Sequence, residues 1–337
     1  MAESILTAGA TLSAEDAMRL ITADDSDLLD ILAGAYRIRR HFYGNHVKMN
    51  YLINAKSGIC PEDCHYCSQS RISEAPIARY KVLEEDQIVA RAEHGLSLSA
   101  STCCIVLSGR TPRSHEIETV AAATRRIKDT HPDLKVCACM GFLNDEQAAV
   151  LKNAGVDRYN HNLNTADDHY GNICTTHGFD DRVNTVQTVQ KSGMSPCSGV
   201  IVGMGESYHD LINVAFTLRD LDVDSIPINF LLPIDGTPLA TAPGLGDPPT
   251  PLTPTTVLKV LSLFRFICPQ KEIRVSAGRE VHLGGLQALS LYPANALFVS
   301  DYLTEPGQPA DMDFSMIQSL GFIVEPLGVP MGPQVDQ

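Results

Sequence analysis

Three cysteines lie at short spacing in the segment GICPEDCHYCSQS, at Cys60, Cys64 and Cys67. Thiolates are the usual ligands of iron–sulfur clusters, and three of them can hold three irons of a four-iron, four-sulfur cluster. A fourth cysteine at a matching short spacing is missing, so the fourth iron would be open to bind and reduce another molecule. A disulfide framework and a zinc knuckle are the alternatives, but zinc normally takes four ligands, and His65 lies too close in the chain to its neighbouring cysteines to complete a site easily. The motif therefore predicts an open [4Fe-4S] cluster.

Size and charge narrow the class of protein. The chain has 337 residues, 44% of them hydrophobic, which suits either two average domains or one large α/β barrel. The formal charge is −14 without a run of basic residues, which argues against nucleic acid as a partner. Ten cysteines without a recognisable signal peptide predict a cytoplasmic location, where thiols stay reduced. No apolar stretch of about 18 residues occurs, so no membrane span is expected.

Short β-prone runs alternate with amphipathic segments from about residue 49 onward. The predicted strands are 50–56, 103–108, 135–140, 156–161, 197–202, 226–231, 273–277 and 296–300. The predicted helices between them are 84–96, 115–130, 144–154, 180–192, 207–221 and 254–267. This alternation predicts a parallel sheet, and eight strands over about 250 residues predict a (β/α)8 TIM barrel in the α/β class.

Flanking segments complete the predicted organisation. Residues 13–44 are predicted to be helical, with Ser13 as the N-terminal cap, and to cover the barrel. The Pro- and Gly-rich stretch 235–256 is predicted to be a loop of the barrel. The resulting parts are a helical extension, the barrel and an irregular C-terminal extension, at 1–44, 45–303 and 304–337.

Alternation along the strands predicts which side chains point into the barrel. Outer positions pack on helices and should be apolar, and the inner positions alternate with them. The predicted inner set is Cys104, Cys137, Cys139, Cys197, Asn229 and Arg274. One inward cysteine is usually a small core residue, but several thiols converging with a buried arginine are harder to explain in that way. Because thiolates or cluster sulfides would offset the cost of the buried charge, the pattern predicts a second iron–sulfur site deep in the barrel.

A polar run, YNHNLNTADDHYGN, follows the fourth predicted strand. Asn162 and Asn164 in this run offer amide groups to a sugar or a urea-like ligand, although a simple turn cluster is the alternative. Loops at the carboxyl ends of the strands build the sites of TIM barrels, which favours a function. Arg182, at the start of the next helix, could pair with a carboxylate.

The open-cluster motif within a barrel resembles the radical S-adenosylmethionine superfamily. Over about residues 40–305 the chain is similar to its biotin synthase family. The matching stretches are GICPEDCHYCSQS, RYNHNLNT with YGNI, CSGVIVGMGE, SIPINFL followed by GTPLA, and IRVSAGRE. Together these segments are highly specific.

The resemblance implies a reaction and its ligands. Cys60, Cys64 and Cys67 would hold a [4Fe-4S] cluster whose open iron binds S-adenosylmethionine. Reductive cleavage would yield a 5′-deoxyadenosyl radical, which abstracts hydrogen from dethiobiotin. An auxiliary [2Fe-2S] cluster would donate the sulfur that completes biotin. Its implied ligands are Cys104, Cys137, Cys197 and Arg274.

The same resemblance implies the surroundings of the cofactor. Tyr66 would lie near the adenine, Arg182 would hold a carboxylate, and three asparagines would line the pocket: Asn162, Asn164 and Asn229. Family members are commonly homodimers that receive electrons from flavodoxin.

Two departures from the family pattern stand out. Many members have Asp where this chain has Asn164. Cys139 and Cys103 are additional thiols near the auxiliary set, so a larger cluster is an alternative, with Arg274 beside it instead of bound to it. A related radical enzyme acting on another small molecule would keep the first three cysteines and lack the inner set. A non-catalytic iron–sulfur carrier or sensor would have a fourth ligand and no cavity.

Overall fold

A computed structural model describes residues 1–241 and 252–328. Within those residues, parallel strands form a closed barrel with eight strand positions, one of which is shared by two short strands. The barrel is closed because its first strand pairs with both the second and the last barrel strand. The strands are β1 (His46–Lys56), β2 (Thr102–Leu107), β3 (Lys135–Cys139), β4 (Arg158–Asn160), β5 (Ser195–Cys197), β6 (Val200–Val202), β7 (Ser225–Phe230), β8 (Glu272–Val275), β9 (Ala296–Val299) and β10 (Ile323–Val324). The predicted TIM barrel is confirmed.

Helices cover the outside of the barrel. The α-helices are α1 (Ala2–Ala8), α2 (Ala14–Ile21), α3 (Leu28–Tyr43), α4 (Glu85–Ser97), α5 (Ser114–Thr130), α6 (Asp145–Asn153), α7 (Asp167–Tyr170), α8 (Phe179–Lys191), α9 (Tyr208–Asp220), α10 (Pro238–Thr241), α11 (Pro254–Ile267), α12 (Arg279–Leu283) and α13 (Ala310–Ser319). Two 3₁₀ helices span Asp25–Asp27 and Gly284–Leu291. The predicted barrel helices lie within a residue of α4, α5, α6, α8, α9 and α11.

The N-terminal helices pack on the outside of α11. The Ser13 side chain accepts a hydrogen bond from the Asp16 backbone N–H at 3.0 Å, so the predicted cap of α2 is confirmed. A Cβ added at Gly34 in α3 would lie 2.8 Å from the Phe266 ring in α11, so the two helices approach too closely for a larger residue. Since the barrel covers one side of α11 and the extension covers the other, nearly every residue of α11 is buried.

The predicted strand 197–202 is divided into β5 and β6. A Cβ at Gly199 would lie 1.9 Å from the carbonyl oxygen of Pro227 in β7, so this backbone requires glycine. After Gly199 the chain pairs with β7 through β6, and Val200 bridges to Asn164 in the loop after β4. The interruption brings the loop that contains Asn162 and Asn164 against the barrel.

The C-terminal extension is more regular than predicted. Residues 310–319 form α13, and Arg279 in α12 holds this helix through a buried ion pair of 2.8 Å with Asp313. The strand β10 then pairs in parallel with the first residues of β1. Part of the predicted loop 235–256 and the end of the chain, 242–251 and 329–337, lie outside the described residues. Among the helices that the structure describes, none combines the length and apolarity needed to cross a membrane.

Candidate functional site

A cavity of about 330 Å³ lies among the residues at and beyond the carboxyl ends of the barrel strands. Its lining includes the predicted cysteines of the loop after β1 and four of the inner residues: Cys60, Cys64, Cys67, Cys104, Cys139, Asn229 and Arg274. The residues predicted to surround the cofactor line it as well: Tyr66, Asn162, Asn164, Arg182 and Asn229. The fold therefore brings the cysteine loop and two of the four predicted auxiliary ligands, Cys104 and Arg274, to one cavity; Cys137 and Cys197 are not among its lining residues. Such a cavity does not fit the hypothesis of a carrier without one.

Two carboxylates between the first two cysteines anchor the cysteine loop. Asp63 accepts hydrogen bonds from the backbone N–H groups of Thr175 and Thr176 at 2.9 and 3.1 Å. Glu62 accepts one from Arg110 Nη1 at 2.9 Å. Burial raises the pKa of Asp63, but the hydrogen bonds from Thr175, from the Cys174 thiol and from Thr176 outweigh it and lower that pKa well below its usual range. The loop is thus tied to a second loop about 110 residues further along the chain.

The inner cysteines come from three different strands. Cys104 in β2 and Cys137 in β3 are direct partners in the ladder, and both are buried. The Cys137 thiol lies beside both the Cys104 and the Cys197 thiols, close enough for each to raise its pKa. The Cys197 Sγ accepts a hydrogen bond from Asn160 Nδ2 at 3.3 Å. Three sulfurs therefore converge inside the barrel, which is the donor set expected around a cluster.

Positive charge exceeds negative charge around these sulfurs. Glu272 in β8 receives Arg274 Nη2 at 2.6 Å, Arg158 Nη1 at 3.0 Å and Lys48 Nζ at 3.3 Å. One carboxylate thus faces three cations. Within the described residues, the buried Nε of Arg274 has no hydrogen-bond partner. An unpartnered guanidinium N–H and uncompensated charge fit an anionic group such as a cluster with its thiolates.

The same surroundings favour the thiolate form of Cys197. A hydrogen bond from Cys137 lowers the pKa of the Cys197 thiol, burial opposes this, and the charges of Arg274 and Arg158 lower it further. The neighbouring Cys104 and Cys197 thiols, together with burial, raise the pKa of the Cys137 thiol well above its usual value. Since a thiolate is the form that binds metal, the two arginines prepare Cys197 for ligation.

The two additional thiols take different positions. Cys139 lines the cavity, as the inward prediction requires, and is half-buried. Cys103 points outward, where its thiol donates to the Ala92 carbonyl oxygen of α4 at 3.6 Å. Cys103 is therefore a core residue, whereas Cys139 stays available to an auxiliary group.

Hydrogen bonds orient the polar residues of the cavity. Asn164 has a left-handed backbone (φ 71°) and donates through Nδ2 to the Tyr66 hydroxyl at 2.6 Å. The Asn162 Oδ1 accepts from the Gly199 backbone N–H at 3.1 Å. Asn229 donates to the Val200 carbonyl at 3.1 Å. Arg182 donates to the Asn162 carbonyl at 2.8 Å and to the Tyr170 hydroxyl. These side chains are held in place before any ligand arrives.

Several of these residues were not predicted from the sequence. The paired acids Glu62 and Asp63 between two cysteines were a visible signal, because acids inside a ligand loop need partners. Nothing in the sequence around Lys48, Arg158 or Glu272 indicated that they meet, since they belong to three different strands.

Comparisons with known proteins identify the family of the chain. Residues 55–218 match the family model of the radical SAM superfamily, and residues 227–323 match the biotin and thiamin synthesis associated domain. The chain is 53% identical over 325 residues to a biotin synthase of Geobacillus kaustophilus, covering 96% of this chain and 95% of that protein. It is 51% identical over 325 residues to a biotin synthase of Bacillus subtilis, covering 96% of this chain and 94% of that protein.

Solved structures with low sequence identity share the fold. A methylornithine synthase superposes with a TM-score of 0.79 at 18% identity, covering 96% of each chain. A FeFe-hydrogenase maturase from Carboxydothermus hydrogenoformans superposes with a TM-score of 0.78 at 16% identity, covering 96% of this chain and 78% of that one. At such identities the likeness concerns the barrel alone. On the family models and the relatives of about 50% identity over nearly its whole length, the chain belongs to the biotin synthase family of the radical S-adenosylmethionine superfamily.

Proposed function

We propose that the protein converts dethiobiotin to biotin, with sulfur taken from an auxiliary cluster inside the barrel. Its family makes it a radical S-adenosylmethionine enzyme with a [4Fe-4S] cluster. One observation carries the proposal: the cysteine loop and the inner residues Cys104 and Arg274 line the same cavity. A radical formed at one end of this space would have access to sulfur at the other.

The side chains around the cavity fit both iron–sulfur clusters. Cys60, Cys64 and Cys67 would hold the first cluster on a loop anchored by buried carboxylates. The second would be held by the converging thiols together with a guanidinium that has an unpartnered N–H: Cys104, Cys137, Cys197 and Arg274. When bound, the first cluster with S-adenosylmethionine supplies a carbon-centred radical and the second supplies sulfur.

The polar side chains of the cavity would bind and orient the cofactor. Arg182 is buried and held by Tyr170 and the Asn162 carbonyl, so its guanidinium would meet a carboxylate with little loss of conformational entropy. Because Asn164 donates its N–H group to Tyr66, its amide oxygen stays free to accept from a nucleoside hydroxyl. Asn164 would therefore replace the usual Asp with a neutral acceptor.

The segment after β9 borders the same space. Asn54 Nδ2 donates to the Leu303 carbonyl at 2.7 Å, and the Ser68 and Thr304 hydroxyls are 2.9 Å apart. These contacts hold Leu303, which lines the cavity, against the cysteine loop. An apolar side chain at this place would restrict the access of water to the reacting carbons.

Other features of the proposal come from the resemblance alone. We propose that the auxiliary cluster is a [2Fe-2S] cluster. A larger cluster is the alternative, because Cys139 also lines the cavity. The homodimer, the flavodoxin-type electron donor and the cytoplasmic location also stay predictions.

Anaerobic turnover tests the proposal. The reconstituted protein, incubated with dethiobiotin, S-adenosylmethionine and reductant, should yield biotin by mass analysis. Cys197→Ala should stop biotin formation while S-adenosylmethionine is still cleaved. The matched control is Cys268→Ala, because this buried thiol faces the Ala215 carbonyl at 3.8 Å, away from the cavity lining. A normal biotin yield from Cys197→Ala would remove this residue from the sulfur-donor site.

A further inference from the structure

A second group of metal-binding side chains lies beside the cavity. Cys64, Cys174 and His177 are buried, and one potential ligand atom from each lies within 4.8 Å of the others. Cys174 and His177 belong to the loop between α7 and α8, and the proposed reaction assigns neither of them a role. Cys64 is shared with the first cluster, so this group requires a state in which Cys64 is not occupied by that cluster.

The separations match the coordination shell of a zinc-type ion. The Cys64 and Cys174 sulfurs are 3.8 Å apart. Two thiolates bound to a tetrahedral zinc at about 2.3 Å lie about 3.8 Å from one another. The His177 Nε2 lies 3.8 Å from the Cys174 sulfur, close to the roughly 3.6 Å expected for a nitrogen and a sulfur on the same zinc. Two of the three separations therefore match those of ligands that share one zinc ion, and the third pair lies within 4.8 Å.

Neighbouring carboxylates suit the same ion. The His177 Nδ1 lies 2.5 Å from Glu62 Oε2, so Nδ1–H donates to the carboxylate and leaves the Nε2 lone pair for a metal. Ligating histidines in proteins almost always donate their other N–H in this way. Asp63 Oδ1 accepts from the Cys174 thiol at 3.3 Å, so a second carboxylate borders the site.

One contact must break when an ion enters. Arg182 Nη2 donates to the His177 Nε2 at 2.9 Å, so a metal on that nitrogen displaces the guanidinium. The residue proposed to hold the carboxylate of S-adenosylmethionine would then be moved. An ion at this place and a loaded active site are therefore incompatible on two counts, the shared Cys64 and the position of Arg182.

We propose that the cluster-free chain binds one thiophilic divalent cation of the zinc class through Cys64, Cys174 and His177, and that this ion and the first cluster exclude each other. The inference depends on the proposed function only for the assignment of Cys64 to that cluster. It is independent of the auxiliary site and of the substrate.

Cobalt titration of the full-length, reduced and chelator-treated chain tests the site under anaerobic conditions. Wild type should show thiolate-to-cobalt charge transfer and the strong visible bands of four-coordinate Co²⁺. Cys174→Ser and His177→Gln should each lose one equivalent of this cobalt or bind it at least about tenfold more weakly, as for loss of a metal's supporting partners. Cys60→Ala and Cys268→Ala, matched thiol controls, should keep it.

The controls separate this site from the other thiols. If Cys60→Ala loses the equivalent, the ion is held by the primary cysteine set and the proposal is overturned. If neither Cys60→Ala nor Cys174→Ser changes the cobalt stoichiometry, the ion belongs to the inner cysteines and the proposal is equally overturned. These outcomes do not bear on the proposed conversion of dethiobiotin to biotin, because the titration measures metal binding and not turnover.

A second measurement tests the mutual exclusion. Wild type loaded with one equivalent of zinc should take up iron and sulfide more slowly during reconstitution than the metal-free chain. Cys174→Ser treated with the same zinc should reconstitute at the rate of its own metal-free form. Equal slowing by zinc in both proteins would contradict the assigned ligands.

Discussion

Neutralising Glu272 should destabilise the barrel, and more strongly without its clusters than with them. The Glu272 carboxylate forms ion pairs with Lys48, Arg158 and Arg274. Burial raises the pKa of Glu272, but these three charges lower it well below its usual value. Glu272→Gln keeps the size of the side chain and removes its charge. The three cations Lys48, Arg158 and Arg274 would then lose the carboxylate that they share.

The magnitude follows from the loss of a buried ion pair. Removing one partner typically costs about 3–5 kcal/mol, because the remaining charge is left uncompensated. An unfolding entropy of about 2.1 cal/mol/K per residue over 337 residues is about 0.7 kcal/mol/K, so the melting temperature should fall by about 4–7 °C. When the auxiliary thiolates and an anionic cluster are present, they compensate part of the excess charge, and the fall should be smaller.

Thermal unfolding followed by circular dichroism measures both states. The cluster-free and the anaerobically reconstituted forms of wild type and Glu272→Gln are compared. Glu118→Gln, an exposed position on α5, controls for the loss of one acidic charge. A melting temperature of cluster-free Glu272→Gln that matches the control, or a fall that is equal with and without clusters, would refute the charge-compensation argument.

Three further predictions concern single side chains. Cys64→Ala should abolish the formation of 5′-deoxyadenosine from S-adenosylmethionine, and retained cleavage would mean that the first cluster is assigned to the wrong residues. Tyr66→Phe removes the hydroxyl that accepts a hydrogen bond from Asn164 at 2.6 Å. The KM for S-adenosylmethionine should therefore rise about five- to tenfold, equivalent to about 1 kcal/mol. An unchanged KM would show that this hydrogen bond does not position the cofactor site. Burial raises the pKa of Glu206 from 4.5 to about 7, so between pH 4.5 and pH 7 the folded chain binds a proton that the unfolded chain has released. The stability that comes from this proton is complete below pH 4.5 and is lost as the pH rises through 7. The free energy of unfolding should fall by about 3 kcal/mol over this pH range in wild type and not in Glu206→Gln. The melting temperature of the two proteins, measured against pH, checks this, and identical profiles would contradict the raised pKa.

Periodicity was sufficient to predict the barrel. Its strands alternate inner and outer side chains, and its helices bury one face, so both periods are written in the order of the residues. The same alternation predicted Cys104 and Arg274 on the inside, and both line the cavity. The division of one predicted strand at Gly199 was not predicted, because it depends on the approach of the Pro227 carbonyl from β7.

The C-terminal extension shows another limit. Its few apolar residues and its prolines gave no clear hydrophobic period. The helix α13 nevertheless forms with an ion pair between Asp313 and Arg279, and β10 forms by pairing with the first residues of β1. Both partners lie far away in the chain. A segment of this kind becomes ordered through the surface on which it packs, which local propensity does not contain.

What the sequence alone determined is local: the kinds of ligand, the spacing of Cys60, Cys64 and Cys67, and the face of each strand that carries a thiol. Only the tertiary structure decided which charges and loops meet, such as Glu272 with Lys48 and the cysteine loop with His177. The physical reason is barrel closure. It places residues that are more than a hundred positions apart within hydrogen-bonding distance, and the energy of a buried charge depends on those neighbours in space and not on those in sequence.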